Sequence, residues 1–480
     1  MSESGPGLSG GGLFGGGLFG GLFGRGGAAV DDHAWLQAML DTEAALARAL
    51  ERAGLVSAGA GAAVSAVAVA RRFDANEIGR QATLTGNPVP ALVRELSAAV
   101  PPEARDAVHR GATSQDIIDT AAMLLARRGI QAIEADLAVA AGRAAALAQE
   151  HEATVMAGRT LLQQAVPVTF GLIAAGWLVA IDDARAGLAR VAADRLAVQF
   201  GGAAGTLASL GEAGPAVAVL LAEELGLQAP VLPWHTDRGR IVELAAALAG
   251  VGAALGKVAR DVTLLAQTEI GEVSEGGPGG GTRGVGPPGE HRRGGSSAMP
   301  HKRNPVASVL VLGCTKRVPG LLATLAAASE QELQRAAGAW HAEWETLSDL
   351  LRLTGSAAAW SADLLGGLTV DAARMRANLD AAGGWPLSEH VAAVLAPAIG
   401  RLAAHDLIAA AAHSAEAGTS LTDALLADPP AARALAAAGI GRTQLEAAVD
   451  PAGYLGASAE FVRSALAAHR QRKGDQTSER

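Results

Sequence analysis

The chain has 480 residues, half of them apolar, 3% aromatic and 18% charged, which excludes a disordered, solvated polymer and leaves ample material for a large core. Lys and Arg number 39 against 48 Asp and Glu, a net charge of −9, so neither nucleic acid nor an anionic membrane is expected as the partner of the whole chain. A single cysteine, Cys314, permits no internal disulfide and no cysteine-rich metal site, and fits a reducing cytoplasm.

Residues 1–30 read as a flexible tail. Gly10 to Gly27 is glycine interrupted by Leu-Phe pairs at 13–14, 18–19 and 22–23, and no basic start with an apolar core marks a secretory signal. Order is expected from Asp31-Asp32, acids placed to open a helix. In that helix Leu36, Met39, Glu43, Leu46 and Leu50 recur at steps of three and four until Gly54. Glu43 lies on the apolar stripe, where a buried ion pair is expected. This region, 31–114, forms a first helical domain.

A central domain over 115–360 carries Ala/Leu patterns at Ile117–Arg127, Ile130–Glu150, Val166–Ala193, Ile241–Ser274 and Val306–Ser329. Several exceed the usual helix length of about 11–12 residues, which points to a long bundle. No alternating β-branched run reads as a strand. The uncharged run Ala165 to Ile181 contains a proline and two glycines and is short for a membrane span, so it reads as a buried core helix. A third helical domain, 361–470, is broken at Gly383-Gly384-Trp385-Pro386 and Asp428-Pro429-Pro430, and a polar tail, 471–480, follows. The expected fold is all-α in three parts.

The stretch Gly276 to Asn304 stands apart. Its first part is too rich in Gly and Pro for a helix, and long loops inside compact domains are usually functional. Between Arg283 and Arg303 the cations at 283, 292, 293, 302 and 303 face one acid, Glu290. A mobile basic loop over 276–305 in an acidic protein suits closure over a small anion. No P-loop pattern is present.

The run Gly295-Ser296-Ser297-Ala298-Met299-Pro300-His301-Lys302-Arg303-Asn304-Pro305 resembles the GSSxMPxKxNP signature of the fumarase/aspartase superfamily. Three other stretches are similar to that family in order and spacing: His109-Arg110-Gly111-Ala112-Thr113-Ser114-Gln115-Asp116, Gly158-Arg159-Thr160 with Gln163, and Glu389-His390-Val391 followed by Gly400-Arg401 and His405. The resemblance implies addition to, or elimination across, a carbon–carbon bond beside a carboxylate. The carbanion must be held as a dianion by preorganised donors away from water. By position Ser296 matches the proton-transferring serine, and Lys302 and Asn304 match the groups that stabilise the dianion. Thr113, Ser114, His109, Arg159, Gln163 and Arg303 fall at substrate-binding positions. Thr113 with Asp116 also reads as an ordinary helix cap, and the two readings are compatible. Trp234-His235, ahead of a helix, reads either as packing or as part of the substrate pocket. The resemblance further implies a homotetramer with active sites shared between subunits, a small polycarboxylate as substrate, and chemistry that needs neither cofactor nor metal.

Two departures select among members. Amine-releasing lyases of the superfamily carry a histidine after the Gly-Arg-Thr element and a glutamate that pairs with it; here Leu161 and Val309 occupy those positions. A buried charged pair discarded as a unit would leave no unpaired polar group. An intramolecular cyclisation needs no such acid, since its carboxylate nucleophile is already ionised and nothing departs. Gln199-Phe200-Gly201-Gly202, Thr113-Ser114-Gln115-Asp116 and Pro233-Trp234-His235-Thr236 resemble the 3-carboxy-cis,cis-muconate cycloisomerase branch. A lactonising cycloisomerase of aromatic catabolism is therefore the expectation. Adenylosuccinate lyase or a related fumarate-releasing lyase is the enzymatic alternative, and an inactive helical scaffold is the non-enzymatic one.

Overall fold

A computed structural model describes residues 18–276, 293–295, 298–299 and 301–478, with nineteen α-helices and four short strands among them. The all-α class is borne out. The chain divides into two compact units: residues up to Val139 with Asp183–Ala259 and Ala307–Asp363, and Ala140–Asp182 with Arg260–Val306 and Leu364–Arg480.

The first long helix, Asp32–Arg52, begins where the sequence places it. Asp31 caps it by accepting the Ala34 N–H at 2.8 Å, and Gly54 follows its end at a φ of +72°. Leu36, Leu40, Leu46 and Leu50 are buried along one stripe. The two patterns expected either side of Gly129 form one helix, Ser114–Glu150. Glycine there costs about 1 kcal/mol of helix propensity, yet a Cβ would stand only 3.1 Å from Leu351, so close packing accounts for it.

Other expectations shift for physical reasons. Residues 166–169 belong to a strand, so the next helix starts later and spans Phe170–Asp194, with Thr169 Oγ1 accepting the Leu172 N–H at 3.1 Å. The long pattern after residue 241 becomes the helix Gly239–Leu265, a turn and the strand Val273–Glu275, which pairs antiparallel with Leu368–Val370. The pattern after 306 splits into Val306–Thr315 and Val318–Ala327, because Pro319 has no N–H to offer and crowds the preceding turn.

The absence of strands is also corrected. Val155–Thr160 and Gln163–Thr169 form an antiparallel hairpin, registered from Val155 opposite Thr169 to Thr160 opposite Gln163. Its two-residue turn is Leu161-Leu162, both left-handed at φ +52° and +65°. Such turns normally carry Asn or Gly, so the usual hairpin signal is missing.

The expected free tail is partly docked. Gly20–Phe23 is one helical turn, and the Leu22 carbonyl accepts from Trp360 Nε1 at 2.9 Å. The Phe23 carbonyl accepts from Arg352 Nη1 and Ser356 Oγ, each at 2.8 Å. Arg25 pairs with Asp363 at 2.8 Å and lies over the Trp360 ring. Residues 1–17 lie outside the described residues. In the second unit a separate core gathers Val391, Leu395, Leu421, Leu425, Leu435 and Leu445.

Candidate functional site

In the first unit the helix starting at Ser114 presents Asp116 as a hub. Its Oδ2 accepts the N–H groups of Thr113 at 3.0 Å and Gly202 at 2.9 Å. Oδ1 accepts the Gly201 N–H at 3.0 Å and lies 2.7 Å from His235 Nε2. Gly201 is required here, since a Cβ would fall 2.9 Å from His235 Cε1. Gln115 donates to the His235 carbonyl at 2.8 Å, and Gln199 accepts the Trp234 N–H at 2.7 Å. The helix start, the 199–202 loop and the Trp234-His235 segment are thus one hydrogen-bonded body. Asp116 does cap the helix, as expected, but most of its bonding is tertiary.

Trp234 and His235 are both buried. Within the unit they pack as the structural reading predicts, with Arg238 and Arg240 over the Trp234 ring. Thr113 and Ser114 are half-buried at the helix start, and among the described residues neither hydroxyl has a partner. Arg335, which the sequence reading missed, reaches Gln115 Oε1 at 3.2 Å and so puts a cation beside that start.

His109 lies four residues before Thr113. Glu43 meets it twice: Oε1 is 2.7 Å from Nδ1, and Oε2 accepts the backbone N–H at 2.9 Å. Glu43 is fully buried, so the expected buried ion pair exists, with histidine as its partner. Burial alone would pull the imidazole pKa down. The hydrogen bond and charge of Glu43, with the charge of Asp116, more than offset this and hold it above its ordinary value.

A second buried knot also escaped the sequence reading. Arg238 donates to Asp119 at 2.7 and 3.0 Å and to Glu343 through Nε and Nη2, while Trp340 Nε1 reaches Asp119 at 3.0 Å. Burial raises the Glu343 pKa despite Arg238. One signal was available: Asp119 is an acid within the apolar stretch of the helix Ser114–Glu150, where it needs a buried partner.

In the second unit, Arg159 on the hairpin forms a two-pronged pair with Glu272, at 2.9 and 2.7 Å, and Asn378 Nδ2 donates to the same carboxylate at 2.8 Å. Neither Glu272 nor Asn378 was marked by the sequence. Gln163 is exposed at the start of the second strand. The signature folds back on itself: Gly295 bridges Arg303 antiparallel, and the Asn304 N–H and Nδ2 both donate to the Gly294 carbonyl, at 2.9 and 3.3 Å. Gly294 sits at φ +90°, where a Cβ would come within 2.5 Å of the Asn304 oxygen, so only glycine closes this contact. Lys302 and Arg303 are exposed. Ser296 lies outside the described residues.

Leu161 is 96% exposed and Val309 53%. Within one chain neither position is buried, which corrects the premise that a buried pair was given up there.

A lyase family model matches residues 28–320, and a model for the C-terminus of adenylosuccinate lyase matches 384–465. The chain is 47% identical to a nitrosuccinate lyase of Streptomyces davaonensis, over 92% of this chain and 91% of that protein. It is 46% identical to a 3-carboxy-cis,cis-muconate cycloisomerase of Bradyrhizobium diazoefficiens, over 91% and 94%. The crystal structure of the 3-carboxy-cis,cis-muconate lactonizing enzyme from Pseudomonas putida superposes with a TM-score of 0.85 at 41% identity, covering 95% of this chain and 99% of that one.

Proposed function

The chain belongs to the lyase family of the fumarase/aspartase superfamily, and within it we propose that it acts as a 3-carboxy-cis,cis-muconate cycloisomerase, closing a lactone in the catabolism of aromatic compounds. One substrate carboxylate adds to a conjugated double bond. The displaced π electrons move to the carbon beside a second carboxylate, which becomes a dianion. A proton from Ser296 then reaches that carbon and water reprotonates the serine, so nothing leaves and the net uptake is one proton. Lys302 and Asn304 stabilise the dianion. Thr113, Ser114, His109, Arg159, Gln163, Trp234, His235 and Arg303 form the substrate-binding set.

The observation that carries this reading is the complete GSSxMPxKxNP signature in a chain with Leu161 and Val309 where amine-releasing members carry an acid–base pair. Similarity to cycloisomerases along nearly the full length supports it.

One other reading has support. Identity to a nitrosuccinate lyase is equally high. Nitrite departs as a stable anion and needs no protonation, so Leu161 and Val309 suit that elimination too. The two separate cleanly in the cuvette. A cycloisomerase bleaches the ultraviolet band of the carboxymuconate diene and releases no nitrite. A lyase of the second kind frees nitrite from nitrosuccinate while fumarate absorbance grows and leaves the diene untouched, an outcome that would reject our reading.

The working assembly in this reading is a homotetramer with active sites shared between subunits. Two helical stretches, Gly239–Leu265 and Val306–Ala327, are long and apolar enough to cross a membrane, yet only 44% and 33% of their most apolar windows are buried. We assign those uncovered faces to contact with other copies. A mass near that of one 48.0 kDa chain by light scattering would contradict this. Burial pushes the Cys314 thiol up to about 11, which leaves it an inert packing group.

A further inference from the structure

We propose that Glu43 is a positioning residue that uses both of its carboxylate oxygens to fix His109, so that the imidazole presents its Nε2 hydrogen to a substrate carboxylate. The proposal rests on the reading that His109 belongs to the substrate-binding set.

Four observations carry it. Glu43 is fully buried on the apolar stripe between Met39 and Leu46, a costly place for a carboxylate unless it is fully bonded. Both of its oxygens go to the same residue, one to the ring and one to the backbone. That residue is left-handed, φ +57°, although it is not glycine, and strain of this sort persists only where surroundings impose it. The His109 side chain keeps 22% exposure, and with Nδ1 on Glu43 its Nε2 has no partner among the described residues.

The segment leading to the helix start is held with similar tightness. Gly111 is left-handed at φ +80°, a Cβ there would strike Leu210 at 2.6 Å, and the Thr113 N–H is tied to Asp116. The charged groups acting on His109 are Glu43 and Asp116, both anionic, so the ring is favoured as imidazolium. Arg110 is turned onto Asp106. The outcome is a fixed cationic donor four residues from the Thr113 hydroxyl, which has no partner among the described residues. Bonding Nδ1–H to a buried carboxylate settles both the tautomer and the ring plane, as second partners of histidines do elsewhere.

Nuclear magnetic resonance of histidine-labelled protein tests this first without substrate. In the unaltered chain His109 should remain protonated above the pH at which a free imidazole is neutral, with its Nδ1 proton retained. In Glu43→Gln the titration should move to lower pH. A His109 that titrates like free imidazole, or that ignores the substitution, overturns the coupling. The second measurement uses propane-1,2,3-tricarboxylate as a stable polycarboxylate probe. Its affinity should fall about tenfold in Glu43→Gln, the loss expected when a charge-assisted hydrogen bond is weakened. His109→Gln should lose a similar amount, and the double variant no more than either alone. Additive losses would reduce Glu43 to a packing residue and overturn the proposal, and so would unchanged affinity. If Glu43→Gln does not fold, the unaltered chain's His109 titration and the probe affinity of His109→Gln decide alone. Neither measurement depends on turnover, so failure of the diene assay is read separately.

Discussion

Charge is handled in opposite ways in two regions of this molecule. Around Asp119, Arg238 and Glu343 every charged group is withdrawn from water and bound to another. In the signature, Lys302 and Arg303 stand exposed on a backbone held by glycine at 294 and by Asn304. The first arrangement spends its charge on holding helices in register, whereas the second keeps its charge available. Desolvation explains the contrast. A buried charge costs several kcal/mol unless it is paired, and Arg238, with Nε, Nη1 and Nη2 all donating to carboxylates, has little left for a ligand.

That contrast breaks most visibly at Arg238. Arg238→Met would strand two buried carboxylates and should cost about 4 kcal/mol of stability in urea unfolding; a loss under about 1 kcal/mol would show that the knot contributes little. At the opposite pole, Ser296→Ala should lower turnover roughly a hundredfold or more while substrate still binds. Near-normal turnover would remove Ser296 from the proton step. Lys302→Met should be about as damaging to turnover, yet leave unfolding within about 0.5 kcal/mol of the parent, as substitution of an exposed residue does. Gly294→Ala probes the frame itself. Forcing a side chain into that left-handed, crowded position should slow turnover roughly tenfold through about 1–3 kcal/mol of local strain, with the global melting temperature hardly moved.

The smallest effect is expected from pH. His109 has a folded-state pKa above its ordinary value, so the stability it draws from Glu43 is complete below about pH 6.5 and is lost as pH rises through the raised value. Urea midpoints of the parent and of Glu43→Gln should therefore lie further apart in mild acid than in alkali. A gap that widens with pH would mean that the sign of the coupling is wrong.

Much of the local architecture was legible beforehand. Asp31 and Gly54 bracket the first long helix because an aspartate can satisfy a free N–H and a glycine can turn left-handed at little cost. The signature was readable because its residues are consecutive in the chain, so the run of glycine, serine and cation needs no folding to be seen. The hairpin at Leu161-Leu162 was not, since its turn lacks the residues that make such turns cheap. Likewise the patterns Ile117–Arg127 and Ile130–Glu150 read as separate although one helix carries both, and the docked Leu22–Arg25 segment looked like free polymer. In the last two a distant partner reversed the local preference: Leu351 against Gly129, and Arg352, Ser356 and Trp360 around the tail.

The candidate site divides along the same line. Ser296, Lys302, Asn304 and the helix start at Thr113-Ser114 are proposed from neighbouring residues, because that proposal rests on spacing along the chain. Glu272, Asn378, Asp119, Glu343 and Arg335 were not, because each matters only through a partner more than 100 residues away, or through burial. What sequence alone determined is the all-α class and where helices such as Asp32–Arg52 open and close, since helix caps act over a few residues. The tertiary structure decided which charges are spent and which remain free, because the cost of a charge is set by the water around it, and only packing removes that water.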